Sequence, residues 1–588
     1  MTLDRPSNQP VMLLVLLALS GLLFFLGLGD MGLTDRDEGR NAEAGREMFA
    51  SGDLLTPTFN GELRVAKPVF VYWLMTVSYH VFGVSEFAAR VPSALFGVAL
   101  IIMQYLFLSR LRGQAVGLFG ALMLLLNVEI LVLGRMAITD SVLIFCTTLS
   151  LYGFWLGLHG TGRERHWIWC FYVCMALATL TKGPVGLAVP LTTIILYLSS
   201  TRRWTAFWLQ GFPVAGTLLL LLLAAPWYTV MFVVHGDAYA SQAKLHTVGR
   251  FLSPMEGHGG GLWFYLPVLL VGFFPWSGLL PAALYRAFRS WRESRERVGT
   301  MSEAPDSRDT SRSHDELEWF AALWIVGVFV FFTLSSTRLP HYIGPLFPAA
   351  ALLTALYWSQ CLKDPLTKGI RGSIHTMMGL GFLLALGFAG LPTLYAKFSG
   401  KLVREFPLAT QFDLGGSPYL AAVMLLIGAA LVGYFGFKDE LRGAAFWAAG
   451  GALATVFLLV ILTVIPAINR YAIAPPQELA YAAGLNLSAT DQLIAYGSTR
   501  PSMAFYARRK VVFIPSGEVD RLRTALASQG RTMILLPEMF QDSLPKEAAA
   551  FQPILKRYGY ILLASQPMVT IPEGAILPPA TPPKVFGH

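Results

Sequence analysis

Apolar runs long enough to cross a bilayer recur along most of this chain, and they limit its possible folds more than any other feature. A helix needs about 20 mostly apolar residues to span the hydrocarbon core. Thirteen runs are predicted as spans: 11–29, 86–108, 114–131, 139–158, 167–180, 184–199, 205–233, 262–284, 318–333, 341–360, 375–394, 418–437 and 444–466. Since 54% of the 588 residues are hydrophobic and only 14% are charged, we expect a polytopic α-helical membrane protein.

The basic residues between these runs predict an orientation, because Lys and Arg concentrate in short cytoplasmic loops. With a cytoplasmic N-terminus, the loops assigned to the cytoplasm contain Arg110, Arg112, Arg163, Arg165, Arg202, Arg203, Lys363, Lys368, Arg371, Lys438 and Arg442. The longest cytoplasmic loop, 285–317, includes Arg286, Arg289, Arg292, Arg295 and Arg297. The net charge of +9 is then a topology signal, and we expect no nucleic-acid partner. The predicted location is a bacterial inner membrane.

The composition changes near residue 470, which divides a predicted membrane domain, 1–470, from a small periplasmic α/β domain, 471–588. The segments QLIAYG, KVVFIP, TMILLP and YILLASQPMVTI predict strands. Helices are predicted around 501–508, 518–529 and 545–558, and such alternation is typical of an α/β domain. Its GSTRPS turn lacks the glycines of a nucleotide-binding loop, so we expect support or acceptor docking there.

The first outer loop, 30–85, opens with TDRDEGRNAEAGREM, which has eight charges in fifteen residues. One interpretation is structural. Thr34 and Asp37 fit a capping box, and Glu43 and Arg46 stand at helical neighbour spacing, as in an exposed amphipathic helix. The other interpretation, which we favour, makes Asp37 and Glu38 the acidic edge of an active site mounted on that helix.

Further ionisable residues lie at the outer ends of the predicted spans. The acid among them is Asp140, and the candidate cations and polar groups are Arg40, Lys67, Arg135, Lys182, His246, Arg250, His258, Arg338, His341 and Tyr342. Taken singly, Arg135 and Lys182 could anchor helix ends, and His258 could be a loop residue. Acids and bases together on one face suit chemistry on a lipid phosphate, because cations hold the phosphate while a carboxylate handles a proton.

Several motifs resemble a known family. The stretch from DRDEGRN to AKPVFVYWL, together with FGVSEFAARVPSALFG, GRMAITDSVL, ALATLTKGPVGLAVP and SSTRLPHYIGPLFPAAALL, is similar to the glycosyltransferase C-fold enzymes that use polyprenyl-phosphate sugars. The aminoarabinose transferases that modify lipid A look nearest, and the protein O-mannosyltransferases look more distant. The resemblance implies about thirteen transmembrane helices and an outer C-terminal domain.

The resemblance also implies roles for individual residues. The family's acidic pair falls on Asp37 and Glu38, with Asp37 as the catalytic carboxylate, and its second acidic position falls on Asp140. The carrier phosphate is expected to bind Lys67, Arg250 and Tyr342, with Arg338 near. Arg40, Arg135, Lys182, His246 and His258 are candidate cavity-lining residues.

Two positions depart from the family pattern. Ala66 stands where the aminoarabinose enzymes have a Glu that can help bind a metal, so we assign no metal and no cofactor. Thr337 and Arg338 replace the usual Ser-Lys before Leu-Pro, which keeps the positive charge but changes the donor geometry.

These observations predict an inverting transfer of one sugar from a polyprenyl phosphate, such as undecaprenyl phosphate, to lipid A or a related glycolipid at the periplasmic membrane face. A protein hydroxyl is the alternative acceptor. Two readings from other classes are a lipid or glycan flippase, which would show charges at mid-bilayer in broken helices, and a non-catalytic assembly subunit.

Overall fold

The structure is a computed structural model that describes residues 8–249, 260–300, 310–527 and 530–566. Its helices are α1 (Gln9–Phe25), α2 (Asp37–Ser51), α3 (Phe70–Phe82), α4 (Glu86–Arg112), α5 (Gln114–Leu125), α6 (Val128–Gly134), α7 (Asp140–His159), α8 (Trp167–Lys182), α9 (Val185–Thr201), α10 (Trp204–Gln210), α11 (Pro213–Lys244), α12 (Tyr265–Gly272), α13 (Leu280–Thr300), α14 (Thr310–Leu334), α15 (Phe347–Lys363), α16 (Ile370–Leu402), α17 (Ser417–Gly436), α18 (Arg442–Leu459), α19 (Ile465–Ile468), α20 (Ala474–Asn486), α21 (Ser502–Ala507) and α22 (Val519–Leu526). A 3₁₀ helix, Pro340–Leu346, precedes α15.

Each of the thirteen predicted apolar runs overlaps a helix. By length and composition, seven helical stretches of the described chain could cross a membrane, or ten if each of three bent pairs forms one span. The outer surface of α11 carries side chains such as Leu222 and Val233, which are 70% and 75% exposed. Such a surface fits lipid tails rather than water, so the polytopic helical fold is confirmed, while the count of thirteen stays a prediction.

The C-terminal part forms a five-stranded sheet. Its strands are β3 (Gln492–Tyr496), β4 (Val511–Ile514), β5 (Thr532–Pro537), β6 (Gln552–Arg557) and β7 (Tyr560–Ala564), and their order is β4-β3-β5-β7-β6. Strands β4, β3 and β5 are parallel, whereas β7 runs antiparallel to both β5 and β6. The four predicted strands are thereby confirmed, the last of them over Tyr560–Ala564 only, since its residues 567–571 lie outside the described segments.

The helix predicted over 545–558 is wrong, because the second half of that segment contains strand β6 and only a short 3₁₀ turn, Lys546–Ala548, precedes it. Strand β6 pairs with β7 through a tight turn in which Tyr558 and Gly559 both have positive φ, 37° and 81°. Pro553 is tolerated because β6 is an edge strand and its pairing register shifts there. The amphipathic helical pattern of the segment is therefore overridden by a hairpin.

The first outer loop contains a short hairpin of β1 (Thr58–Phe59) and β2 (Glu62–Leu63). Its turn is Asn60-Gly61, and both residues have positive φ, as a two-residue hairpin turn requires. The Asn60 side chain donates to the Val511 carbonyl at 2.9 Å and accepts from the Val511 amide at 2.8 Å. The first loop is therefore bonded directly to the edge of the C-terminal sheet.

Candidate active site

Helix α2 does not begin with the predicted capping box. Its first residue follows Arg36, whose side chain makes no cap bond. Glu38 Oε2 instead accepts from the Thr34 amide and from Thr34 Oγ1, both at 2.7 Å. Because the chain turns sharply at Arg36, Glu38 rather than Asp37 lies opposite Thr34, and the predicted Thr34–Asp37 box is wrong.

Much of helix α2 is buried, so the expectation of an exposed amphipathic helix is also wrong. Gly39, Ala42 and Ala44 give it narrow faces on which it packs against α3 and α21. The predicted pair of Glu43 and Arg46 is confirmed, since Arg46 donates to the two carboxylate oxygens at 2.6 and 2.8 Å. The helix is therefore a rigid mount for Asp37, its first residue.

Glu38 is 1% exposed and lies in a dense network of donors. Arg90 donates to its two oxygens at 2.8 and 3.1 Å, and the Ala137 amide donates at 2.8 Å. Burial raises the pKa of Glu38, but Arg90 and these hydrogen bonds outweigh burial and hold the pKa below its ordinary value. A carboxylate with this many donors is suited to hold structure rather than to accept a proton from a substrate.

The same network connects α2 to the segment that leads into α7. The Ala137 amide donates to Glu38, and the Ala137 carbonyl accepts from the Asn41 side chain at 3.2 Å. Ser93 Oγ donates to the next carbonyl, that of Ile138, at 3.2 Å. The start of α7, where Asp140 lies, is thereby fixed relative to α2 and α4.

Asp140 begins α7 and Lys182 ends α8, and the two side chains meet as an ion pair with an Nζ–Oδ1 distance of 2.5 Å. An acid at a helix N-terminus and a base at a C-terminus also suit the helix dipoles. The Lys182 ammonium lies 4.9 Å from the ring centre of Tyr342, in cation–π contact. Three predicted site residues are therefore brought together at adjacent helix ends.

Lys67, His341 and Asp37 complete this group. Lys67, only 6% exposed, and His341 both lie close enough to Asp140 to interact with its charge. His341 is also close enough to Asp37, Lys67 and Lys182 to interact with their charges. We call Asp37, Lys67, Asp140, Lys182, His341 and Tyr342 the charged cluster; the sequence had placed these residues on four separate segments.

Other predicted residues lie elsewhere. Arg135 donates to the carbonyls of Leu23 and Leu26, both at 2.7 Å, and so satisfies the end of helix α1. Arg338 donates to the Thr333 carbonyl at 2.8 Å. Within the described residues, its buried Nε has no hydrogen-bond partner.

Four of the predicted cavity and phosphate residues remain. Arg40 lies on α2 one turn after Asp37. His246 lies in a π-helical turn, Leu245–Gly249, after α11. Arg250 and His258 fall outside the described residues, so their expected roles stay predictions.

Sequence reasoning missed Glu129, Arg90 and the part that His341 takes in the site. Glu129, on α6, interacts with the charges of Asp140 and Lys182, and it is the only acid in the apolar run 114–131. An ionisable residue inside a predicted span is itself a signal of a polar site. That signal was present in the sequence, whereas no local pattern pairs Arg90 with Glu38.

The described side chains decide whether this region could hold a metal ion. No three His, Cys, Asp or Glu residues of the described segments come close enough to share an ion. Ala66, before Lys67, supplies no ligand atom from its side chain. The described side chains therefore offer no set of metal ligands.

A cavity of about 480 Å³ lies beside the Glu38–Arg90 network. Apart from Arg90, Arg135 and Thr34, its walls are almost entirely aliphatic or aromatic, with contributions from Leu131 and Phe388. A chamber of this composition inside the helical part suits a hydrocarbon chain.

Comparisons with known proteins agree with this fold. The family described as dolichyl-phosphate-mannose-protein mannosyltransferase matches residues 32–240. An undecaprenyl phosphate-alpha-4-amino-4-deoxy-L-arabinose arabinosyl transferase of Pseudomonas aeruginosa is 30% identical over 440 residues, 74% of this chain and 72% of the relative. A transferase of the same name from Edwardsiella ictaluri is 29% identical over 395 residues, 65% and 67% of the two chains.

A solved structure is also similar. The crystal structure of ArnT from Cupriavidus metallidurans bound to undecaprenyl phosphate superposes with a TM-score of 0.75 at 22% identity, over 95% of this chain and 98% of that one. The fold and these matches define a membrane-embedded glycosyltransferase of the C-fold class, as the sequence predicted. The chain belongs to the family of the undecaprenyl phosphate-alpha-4-amino-4-deoxy-L-arabinose arabinosyl transferases.

Proposed function

We propose that this enzyme transfers one sugar, with inversion, from a polyprenyl phosphate such as undecaprenyl phosphate to lipid A or a related glycolipid. The observation that carries the proposal is the charged cluster, in which acids and cations meet at the ends of α2, α7 and α8. The relatives named for an undecaprenyl phosphate sugar donor supply the donor class.

The donor phosphate is the leaving group in this proposal. As the bond between the sugar C1 and the phosphate oxygen breaks, its electron pair goes to the phosphate, whose negative charge grows. Lys67 and Lys182, with Tyr342 at the edge, stabilise that charge in a mostly buried site. One well-placed donor in such a site is typically worth about 3–4 kcal/mol.

Asp37 is the proposed general base. It takes the proton from the acceptor hydroxyl while the hydroxyl oxygen forms the new bond to C1. Glu38 is reassigned from a catalytic to a positioning role, because its oxygens already accept from Arg90, Thr34 and Ala137. Asp140 orients Lys182 through their 2.5 Å contact.

The apolar cavity beside Arg90 is proposed to take a hydrocarbon chain of the donor or the acceptor.

The charged cluster and the C-terminal domain are proposed to lie on the periplasmic side of a bacterial inner membrane, with the N-terminus in the cytoplasm. The basic loops on the other side of the helices support this orientation. The division near residue 470 is likewise proposed as the boundary of the two domains.

A protein hydroxyl is the second candidate acceptor. The match to the protein mannosyltransferase family over residues 32–240 favours it, since that range includes Asp37, Lys67, Asp140 and Lys182. Mass spectrometry of outer-membrane lipids and exported proteins, from cells with and without the gene, separates the two candidates by which molecules lose one sugar.

The direct test is Asp37→Asn in the purified full-length protein with a polyprenyl-phosphate sugar and lipid A. We expect sugar transfer to fall by about 100-fold or more, the usual contribution of a general base. Glu62→Gln is the matched control, because Glu62 is an acid of the same loop whose side chain is 80% exposed. Transfer by the Asp37→Asn protein within twofold of the parent would refute the assignment.

A second measurement tests the phosphate site without catalysis. Lys67→Ala should weaken the binding of bare polyprenyl phosphate, because it removes a buried cation from the cluster. Glu62→Gln again serves as the control. Unchanged binding would remove Lys67 from the phosphate site.

A further inference from the structure

The backbone turns through an unfavourable conformation directly before Asp37. Arg36 has φ 73° and ψ −98°, and a positive φ is strained for a residue with a side chain. Such a conformation persists only where the surrounding structure holds it. The residues on either side of Arg36 therefore need anchors.

Asp35 is anchored to the C-terminal domain. Its Oδ1 accepts from the Ser502 amide, at the start of α21, at 3.0 Å. Its Oδ2 lies 3.7 Å from Arg500 Nη1, and the two side chains are 16% and 7% exposed. This contact joins residues 467 positions apart in the chain.

Arg500 is itself held from several sides. Its Nη1 donates to the Ala472 carbonyl at 2.9 Å, and its Nη2 donates to the Glu405 carbonyl. Its guanidinium lies 4.9 Å from the ring centre of Phe406 and 5.6 Å from that of Tyr560. Arg500 is thus a fixed point against which Asp35 is placed.

Gly39 brings the two helices into backbone contact. A Cβ at this position would lie 2.7 Å from the Ser502 nitrogen and 2.9 Å from its Cα. Gln477 donates to Ser502 Oγ at 3.1 Å and to the Leu33 carbonyl at 2.6 Å, which closes the same contact from a third side. Helix α2 therefore has almost no freedom to move relative to α21.

We propose that Asp35 is a positioning residue, which uses the C-terminal domain to hold the strained turn at Arg36 and so directs Asp37 into the charged cluster. Glu38, bound to Arg90 and Thr34, holds the other side of the turn. The inference rests on the proposed function of Asp37. It gives the C-terminal domain a part in catalysis although that domain adds no residue to the cluster.

The test measures kcat and KM of Asp35→Ala and Asp35→Asn in the full-length enzyme. Loss of the Asp35 contacts with Ser502 and Arg500 should lower the kcat of Asp35→Ala by roughly 100-fold, because a small misplacement of a reacting group has effects of that size. The KM for the donor and the binding of bare polyprenyl phosphate should not change, since Lys67 and Lys182 stay in place. Asp35→Asn keeps an oxygen for the Ser502 amide and should recover most of the lost kcat.

Asn60→Ala is the matched control. It removes two hydrogen bonds between the first loop and the C-terminal sheet but does not involve the turn at Arg36. If Asn60→Ala lowers kcat as much as Asp35→Ala does, or if Asp35→Ala weakens donor binding instead, the proposal is overturned. Asp35→Ser, too short to reach Ser502, replaces the alanine variant if that protein does not fold.

Hydrogen exchange separates this proposal from the proposed function. The Gly39 and Arg40 amides bond to the carbonyls of Thr34 and Arg36. They should exchange faster in Asp35→Ala and not in Asn60→Ala. A parent enzyme that transfers no sugar would refute the proposed function, but the exchange rates would still test the positioning role of Asp35. Unchanged exchange in Asp35→Ala would overturn that role, whatever the activity.

Discussion

Replacing Arg90 by methionine tests the network that holds Glu38. The two residues are 2% and 1% exposed, so the change leaves a carboxylate without its countercharge where water does not reach it. It also removes the donor for the carbonyls of Leu28, Met31 and Gly32. Both losses fall on the segment that leads into Asp37's helix.

The magnitude follows from these two losses. Removing one partner of a buried ion pair costs about 3–5 kcal/mol, and each carbonyl left without a donor adds roughly 1 kcal/mol. With three carbonyls affected, the total for Arg90→Met is therefore on the order of 6–8 kcal/mol. In the double variant with Glu38→Gln the charge is gone as well, so about 1–3 kcal/mol of the loss should be recovered.

The assay is thermal unfolding of the purified protein in detergent, followed by tryptophan fluorescence. The expected order of melting temperature is parent, Glu38→Gln, double variant and Arg90→Met, from highest to lowest. If Arg90→Met melts with the parent, or if the double variant is no more stable than Arg90→Met, the reasoning about a buried charge is refuted.

Three other perturbations address the same region. Lys182→Met should lower turnover by about 100- to 1,000-fold, because it removes a cation from the cluster and the partner of Asp140; steady-state kinetics against Lys182→Arg, which keeps the charge, check it. The pKa of Glu38 is held below its ordinary value of 4.5, so the stability from its charged form is present above pH 4.5 and is lost as pH falls through the lowered pKa. Melting curves at stepwise lower pH should therefore fall less steeply for Glu38→Gln than for the parent. Gly39→Ala should lower the melting temperature, since its Cβ would lie 2.7 Å from a backbone nitrogen, whereas Gly443→Ala, on α18 with nothing within 4 Å, should not.

The helices of the membrane part were predictable because the signal is local. Each span is predicted by its own apolar run, and the orientation of the spans is predicted by basic residues in the loops next to them. The C-terminal strands were also local signals, apart from β6. That strand forms through pairing with β7, whereas its pattern in isolation predicts a helix.

The charged cluster was predictable only in part. The sequence indicated which residues lie at the outer ends of spans, and Asp37, Lys67, Asp140, Lys182 and Tyr342 do come together. The pairs that these side chains form could not be predicted, since the pairing depends on which helix ends become neighbours after packing. The arginine that neutralises Glu38 could not be found for the same reason.

The two adjacent acids of α2 show why the pairing decides function. Consecutive residues of a helix point in directions about 100° apart, so Asp37 and Glu38 cannot face the same surroundings. Glu38 turns into the protein, where Arg90, Thr34 and Ala137 occupy its oxygens. Asp37 lies on the side of Tyr72 and His341, with part of its surface accessible. The sequence offers both as equal carboxylates; the fold divides them, because it buries Glu38 among its donors and leaves part of the Asp37 surface accessible to a substrate.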